Sequence, residues 1–282
     1  MKPKQIAFMG GGILGIAEAG AFSEIDTSEL QAVAGTSAGG INACLVAMKY
    51  TPAEIKAIIN ACNFASFKDA NVFQAFTDLH NFGIYKGNAF LTWIKAQIKT
   101  KTGNELSTFA DFNKAGFLDL SIYSTNLNTK SVTKFSFATT PNVAVCDAVR
   151  CSMSIPLFFE ANELNGQIYV DGGLCFNYPI ETWDGECPDM NTLGICFSIS
   201  PISPDSGLKY GQYLKYVESM VESLLNSQYV ALSENPDNLK RSIVIDSKGI
   251  SPIDFDLSSA QQEILYQAGR LAALTFMLPQ RN

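Results

Sequence analysis

Histidine is nearly absent from this chain: among 282 residues there is one, His80. A structural zinc site draws on closely spaced histidine, cysteine and carboxylate ligands. No cysteine or second imidazole lies near His80, so no metal is expected. CxxC spacing is missing too. The seven cysteines, at positions 44, 62, 146, 151, 175, 187 and 196, are an odd set lying mostly within apolar runs. They read as small buried hydrophobes in a reducing compartment rather than as a disulfide framework. Charge is also sparse, at 17%, and acidic in balance: 27 Asp and Glu against 20 scattered Lys and Arg, a net −7. That sign repels a phosphate backbone and argues against nucleic acid as a partner. It equally disfavours adsorption to anionic lipid through charge alone. No run of 18 apolar residues occurs, and the basic tip at Lys2 and Lys4 is not followed by an unbroken apolar stretch before the first glycines. The expectation is therefore no transmembrane segment and no Sec signal, with the chain starting in the cytoplasm, open to transient membrane association or a signal-less export route.

What is present is a well-cored globular sequence, 47% apolar, with 21 Gly and 11 Pro spread along it and no low-complexity segment. Short apolar runs alternate with stretches at helical spacing. Gln5–Met9 predicts a strand, ending in three glycines before a helix over Ile13–Glu24. Leu30–Ala34 predicts a second strand, running through a sharp turn into a helix over Ile41–Met48. Thr51, Pro52 and Glu54 form a capping box at the head of a third helix. Further helices are expected over Asn88–Thr100, Pro141–Met153, Tyr210–Leu232 and Ser258–Met277. Strands are expected over Leu118–Asn126, Ser131–Phe137, Ile168–Val170, Leu193–Ile199 and Ser242–Asp246. This alternation predicts an α/β fold, a central mostly parallel sheet between layers of helices, as one domain over residues 1–282.

Three places could carry chemistry. Gly35-Thr36-Ser37-Ala38-Gly39 fits G-x-S-x-G where a strand turns straight into a helix. Such an elbow projects the serine hydroxyl from the sheet edge beside the positive end of the helix. The bland alternative is a tight turn in which Ser37 merely caps. Gly10, Gly12 and Gly15 satisfy G-x-G-x-x-G, which suits either a dinucleotide pyrophosphate or an oxyanion hole. A Rossmann fold wants an acid at the end of the second strand, where Ala34 and Gly35 stand here. A serine also needs a base. His80 precedes any candidate triad acid, so a Ser, Asp, His order cannot be written, and a carboxylate on a constrained turn after a strand is sought instead. Asp171, before Gly172 and Gly173, is the clearest case, although Asp-Gly-Gly is also an ordinary turn.

The three motifs, in this order, resemble the patatin-like phospholipase family, over about residues 5 to 180. Arg150, Ser152, Ser154, Ile155 and Pro156 are similar to the segment that precedes the family's D-G-G strand, and Asn177 and Pro179 to the segment just after it. The resemblance implies a three-layer patatin-like architecture and a lipid acyl hydrolase of phospholipase A or lysophospholipase type. It implies a dyad of Ser37 as nucleophile and Asp171 as base, an oxyanion loop of Gly10, Gly11 and Gly12, motif support from Gly15, Gly35, Gly39, Gly172 and Gly173, an acyl-enzyme intermediate, and no cofactor. One departure stands out: family loops place Arg or Lys before the last glycine, and here that position is Leu14. A regulatory or binding protein that keeps the fold without the chemistry is the alternative, with Leu14 as its first sign; a nucleotide-binding oxidoreductase is the other.

The expected substrate is lipid or a membrane-surface ester; the sequence names neither its acyl position, nor an activator protein, nor an oligomeric state. Eight of the thirty residues from Phe64 to Trp93 are aromatic, against 11% overall. They suit a cap over residues 64–101, an acyl-chain groove, or plain core packing. Lys68, Lys86, Lys95, Lys99 and Lys101 flank them and read either as a solvated face or as partners for lipid phosphate. Arg150 reads as charge compensation at a helix end or as an anion partner.

Overall fold

The computed structural model describes residues 2–69, 82–198 and 235–278, together with 209, 212, 213, 215–217, 219, 220, 223, 224, 227 and 228. Its centre is an eight-stranded sheet. Strands β1 (Gln5–Phe8), β2 (Ala32–Thr36), β4 (Asp119–Asn126), β9 (Thr192–Ser198) and β10 (Ser242–Asp246) run parallel in the order β10-β9-β1-β2-β4. Their inner residues, such as Ile6, Ala7, Phe8, Val33, Ile122 and Ile195, are buried. Near-continuous apolar strands are what a parallel sheet covered on both faces requires.

Three antiparallel strands complete the sheet: β5 (Ser131–Ser136) on β4, and the hairpin β7 (Asn162–Leu164) and β8 (Gln167–Asp171). Their register decides where the site forms. Residues 121–123 of β4 pair with β2 and β5 at once, and residues 124–126 pair with β8 and β5 at once. A strand has two edges, so β2 and β8 share one edge of β4 and run toward each other along it. Thr36 ends β2 opposite Tyr123, and Asp171 ends β8 opposite Ser124. The two C-terminal ends thus meet one residue step apart.

Helices α1 (Gly15–Phe22), α2 (Ala38–Ala47), α3 (Pro52–Ala61), α4 (Asn88–Thr102), α5 (Phe109–Lys114), α6 (Val145–Ser152), α7 (Pro236–Lys240) and α8 (Ser259–Met277) flank the sheet. Helix α1 is buried along its whole length. It crosses α8 at glycines: a Cβ on Gly20 would collide with Tyr266 O, and one on Gly269 with Ala17 O. The capping box at Thr51 is formed, with Glu54 reaching back to the Thr51 amide at 2.7 Å.

Some boundaries differ from the sequence expectation. Strand β2 lies two residues later than Leu30–Ala34, because Thr36 is still paired with Tyr123. Helix α6 starts at Val145, not Pro141, since Pro141 O and Val143 O accept the amides of Ala110 and Phe109 instead. Strands β3 (Gly83–Tyr85), β6 (Leu157–Phe159) and β7 have three residues each, too short to show a period; β3 and β6 form a separate two-stranded parallel sheet. Described residues between 213 and 228 are helical, as expected of Tyr210–Leu232, whose remainder lies outside the described residues. So does His80. Of the aromatic stretch, Phe67 packs edge to face on Phe90, Trp93 and Phe255 against the core, and residues 70–81 lie outside the described set.

Candidate active site

The elbow between β2 and α2 is made by glycines and occupied by a strained serine. Ser37 has φ 54° and ψ −126°, a positive-φ conformation that costs a non-glycine residue about 1–3 kcal/mol and persists only where its surroundings impose it. Those surroundings are tight. A Cβ on Gly35 would strike Gly39 O, and one on Gly39 would strike the carbonyls of Phe8 and Met9 at the end of β1. Helix α2 can start directly against the sheet only because both lack a side chain. The Ser37 amide donates to Ser152 Oγ at 2.8 Å, and that hydroxyl donates to Tyr123 O at 2.5 Å, so the elbow is tied to α6 and β4.

Asp171 arrives from the opposite direction at the end of β8. A Cβ on Gly172 would collide with Tyr123 O, so glycine lets the chain turn away directly beside Thr36. Asp171 Oδ1 accepts from Gly173 N at 2.7 Å; Oδ2 is buried with no hydrogen-bond partner among the described residues. Burial pushes the carboxyl up from 3.8 to about 6, against the smaller lowering effects of the Ser37 hydroxyl and the Gly173 amide. The hydroxyl is therefore close enough to act on the carboxyl, yet its hydrogen bond in this structure goes to Met153 Sδ at 3.6 Å. Oδ2 is left as an unused acceptor.

The glycine loop follows β1. The Gly10 amide donates to Asn177 O at 2.9 Å, and Asn177 Nδ2 returns a bond to Gly10 O at 3.0 Å. Gly10 thus anchors the loop, and its amide is not free for an oxyanion, contrary to the sequence expectation. The amides of Gly11 and Gly12 meet no acceptor among the described residues. Gly12 has φ +54° and lies against Pro252 O, which accepts from Ile13 N at 2.9 Å. Gly15 opens α1 in contact with Ala38. Asn177 is itself held by Gln228, whose Oε1 accepts from Asn177 N at 2.7 Å while its Nε2 donates to Gly173 O. The glycine loop and the D-G-G turn are therefore braced together.

Ser37, Asp171, the three loop glycines and Gly173 line one cleft of about 420 Å³, its mouth included, with Ile155, Pro156, Leu174, Leu224 and Pro252 as apolar walls. A buried carboxyl with an open oxygen, a serine on an elbow and two free amides in an apolar cleft can support nucleophilic acyl transfer.

The profile of the family described as Patatin-like phospholipase matches residues 6–183. The chain belongs to that family. Over 276 residues, 94% of this patatin-like chain and 91% of the relative, it is 31% identical to an uncharacterized protein, R571, of Acanthamoeba polyphaga mimivirus. It is 26% identical over 189 residues, 64% of each chain, to the probable lipid hydrolase 463L of Invertebrate iridescent virus 6. Solved structures share the fold. VipD from Legionella pneumophila superimposes with TM-score 0.65 at 17% identity over 98% of this chain and 67% of its own. ExoU of Pseudomonas aeruginosa, in complex with SpcU, gives 0.54 at 15% identity over 98% of this chain and 52% of its own.

Within this patatin-like frame the remaining sequence candidates find their places. Arg150 is buried away from the cleft, donating to Ser154 Oγ at 2.5 Å, Lys86 O at 2.6 Å and Glu160 O at 3.1 Å. It ties the end of α6 to two loops. Leu14 is buried at the end of the short helical turn Gly12–Leu14. Lys68, Lys99 and Lys101 are paired with Asp256, Glu105 and Glu54. Five cysteines are buried, Cys175 and Cys187 are exposed, and all seven are free thiols. The end of β2 bears no acid for a nucleotide ribose, and membership of this family removes the oxidoreductase alternative. Among the described residues no helix is long and apolar enough to cross a membrane, and no cluster of three His, Cys, Asp or Glu could hold a metal. Sequence reasoning missed Met153, Leu224, Gln228 and Pro252; none carries a local signal, since each reaches the cleft through tertiary packing.

Proposed function

We propose that this protein is a lipid acyl hydrolase that cleaves carboxylic esters through Ser37 and Asp171. The observation that carries the reading is Asp171: a buried carboxyl near pKa 6, with Oδ2 unpartnered among the described residues, in the same cleft as a serine held at positive φ. An aspartate at its ordinary pKa is a weak acceptor for a serine proton, and burial supplies the added basicity. Rotation of the Ser37 hydroxyl from Met153 Sδ to Oδ2 sets up the reaction. As Oγ bonds to the ester carbonyl carbon, Asp171 takes its proton, and the carbonyl π pair moves onto the oxygen. The free amides of Gly11 and Gly12 receive that oxyanion, each donor worth roughly 3–4 kcal/mol. Collapse breaks the bond to the alcohol, which leaves with the proton from Asp171. Water then gives a proton to Asp171 and attacks the acyl-enzyme, and the proton returns to Ser37 as the acid departs.

Support for lipid as substrate comes from the family and from the apolar cleft walls. The test is a fluorophosphonate probe together with a lipid panel read by mass spectrometry. The wild-type protein labels and releases fatty acid, and Ser37→Ala does neither; labelling that survives in Ser37→Ala would remove Ser37 from the mechanism.

A further inference from the structure

Behind the elbow lies a second cavity of about 480 Å³, its mouth included. It touches the first at three points. Gly12 lines both, Ala38 follows Ser37 at the head of α2, and Met153 presents to Ser37 Oγ the sulfur that accepts its hydrogen bond. One flexible methionine side chain therefore stands between the hydroxyl and this space. Beyond it the walls are hydrocarbon and aromatic, among them Leu45, Ile59, Phe67, Trp93 and Phe255. The one amide side chain among the described residues there, Asn42, is already committed, donating to Gly15 O and to Glu18 Oε2 at 2.9 Å each. No charged group among the described residues lines the cavity.

The two cavities divide the requirements of an acylated serine. The carbonyl oxygen needs the Gly11 and Gly12 amides, and the hydrolytic water needs Asp171 Oδ2, all in the first cleft. If the alkyl chain also lay there it would exclude that water. The space on the other side of Ser37 has the chemistry of the chain and of nothing polar. We infer that the second cavity binds the acyl chain of the substrate ester, with Met153 as the side chain that yields when the chain enters. This rests on Ser37 being the acylated residue. Phe67 packs edge to face on Phe90 and Trp93 at 5.4 and 5.8 Å, so the aromatic end of the cavity is a rigid stop. Rates should then rise roughly fourfold in kcat/KM per methylene until the stop is reached.

The experiment measures kcat/KM for p-nitrophenyl esters from acetate to palmitate with wild-type protein, Ile59→Trp and Ile41→Phe. Both substitutions add bulk to the cavity wall, Ile59 from α3 and Ile41 from α2 one helical turn past Ser37, and the second serves if the first does not unfold cooperatively. In parallel, cis-parinaric acid binding is measured in Ser37→Ala with and without each filling substitution. The filled variants are expected to hydrolyse acetate within twofold of wild type, lose at least tenfold on the longest esters, and bind parinarate at least tenfold more weakly. If wild type cleaves esters but folded variants keep its chain-length profile and its parinarate affinity, the cavity assignment is overturned and the hydrolase reading stands. If wild type cleaves no ester and takes no fluorophosphonate, the hydrolase reading falls, and the acyl-site inference, which rests on it, falls with it; a parinarate affinity lost in the filled variants would then mark only a fatty-acid site.

Discussion

Replacing Asp171 by asparagine should abolish turnover and at the same time stabilise the fold, in a pH-dependent way. In the folded protein the carboxyl titrates near 6, against 3.8 for the unperturbed group. About two pH units correspond to about 3 kcal/mol of penalty for carrying the charge in the folded state. The sign is set by linkage. Below pH 3.8 the carboxyl is neutral in both states and costs nothing. Between pH 3.8 and 6 the unfolded chain ionises while the folded one resists, so wild-type stability declines through that window and stays reduced above it. Asparagine carries no charge, keeps an oxygen to accept from Gly173 N, and fills the same volume. The gain in Asp171→Asn should therefore be only about 0.5 kcal/mol at pH 4, grow to about 2–3 kcal/mol by pH 7, and hold at pH 8. For a chain of this length that is a rise in Tm of roughly 3–5 °C. Thermal unfolding of both proteins at pH 4, 6 and 8, with ester hydrolysis on the same samples, measures it. A variant no more stable than wild type at pH 8, or a gain undiminished at pH 4, refutes the assignment of a charge-strained carboxylate.

Wild-type kcat/KM should rise with pH through an apparent pKa near 6 and then level off, since Asp171 must be ionised to accept the proton; a profile flat from pH 5 to 8 would contradict this. Gly10→Ala places a methyl against Asn177 Oδ1 and within 3.2 Å of Ser37 Cβ, so it should cut kcat at least a hundredfold, with the loss visible in fluorophosphonate labelling. Ser37→Gly relieves the φ of 54° and should be about 1 kcal/mol more stable than Ser37→Ala, as compared by denaturant midpoints, with both expected to be inactive. His80→Ala should keep most activity if Asp171 is the base as proposed; a dead His80→Ala alongside a normal Asp171→Asn would reverse the assignment.

The legible part of the site was local. Glycines at 35 and 39 around a serine, between a strand and a helix, describe an elbow because no other residue fits where α2 meets the carbonyls of β1. The capping box at Thr51 and the long strand β4 were readable for the same kind of reason, a few neighbouring residues with one favourable conformation. Three-residue strands were not, since β3, β6 and β7 exist through their partners and not through any period of their own.

The sequence alone determined an α/β chain with one histidine, an elbow serine, a glycine loop and an Asp-Gly-Gly turn, because each of these comes from short-range sterics and composition. Tertiary structure decided the rest. It brought β2 and β8 head to head on one edge of β4, spent the Gly10 amide on Asn177, and braced the turns through Gln228. It also set Met153 between Ser37 and an apolar cavity and raised the carboxyl of Asp171 to about 6. Burial and edge-sharing are relations between segments far apart in the chain, and no local pattern encodes the water that packing removes from between them.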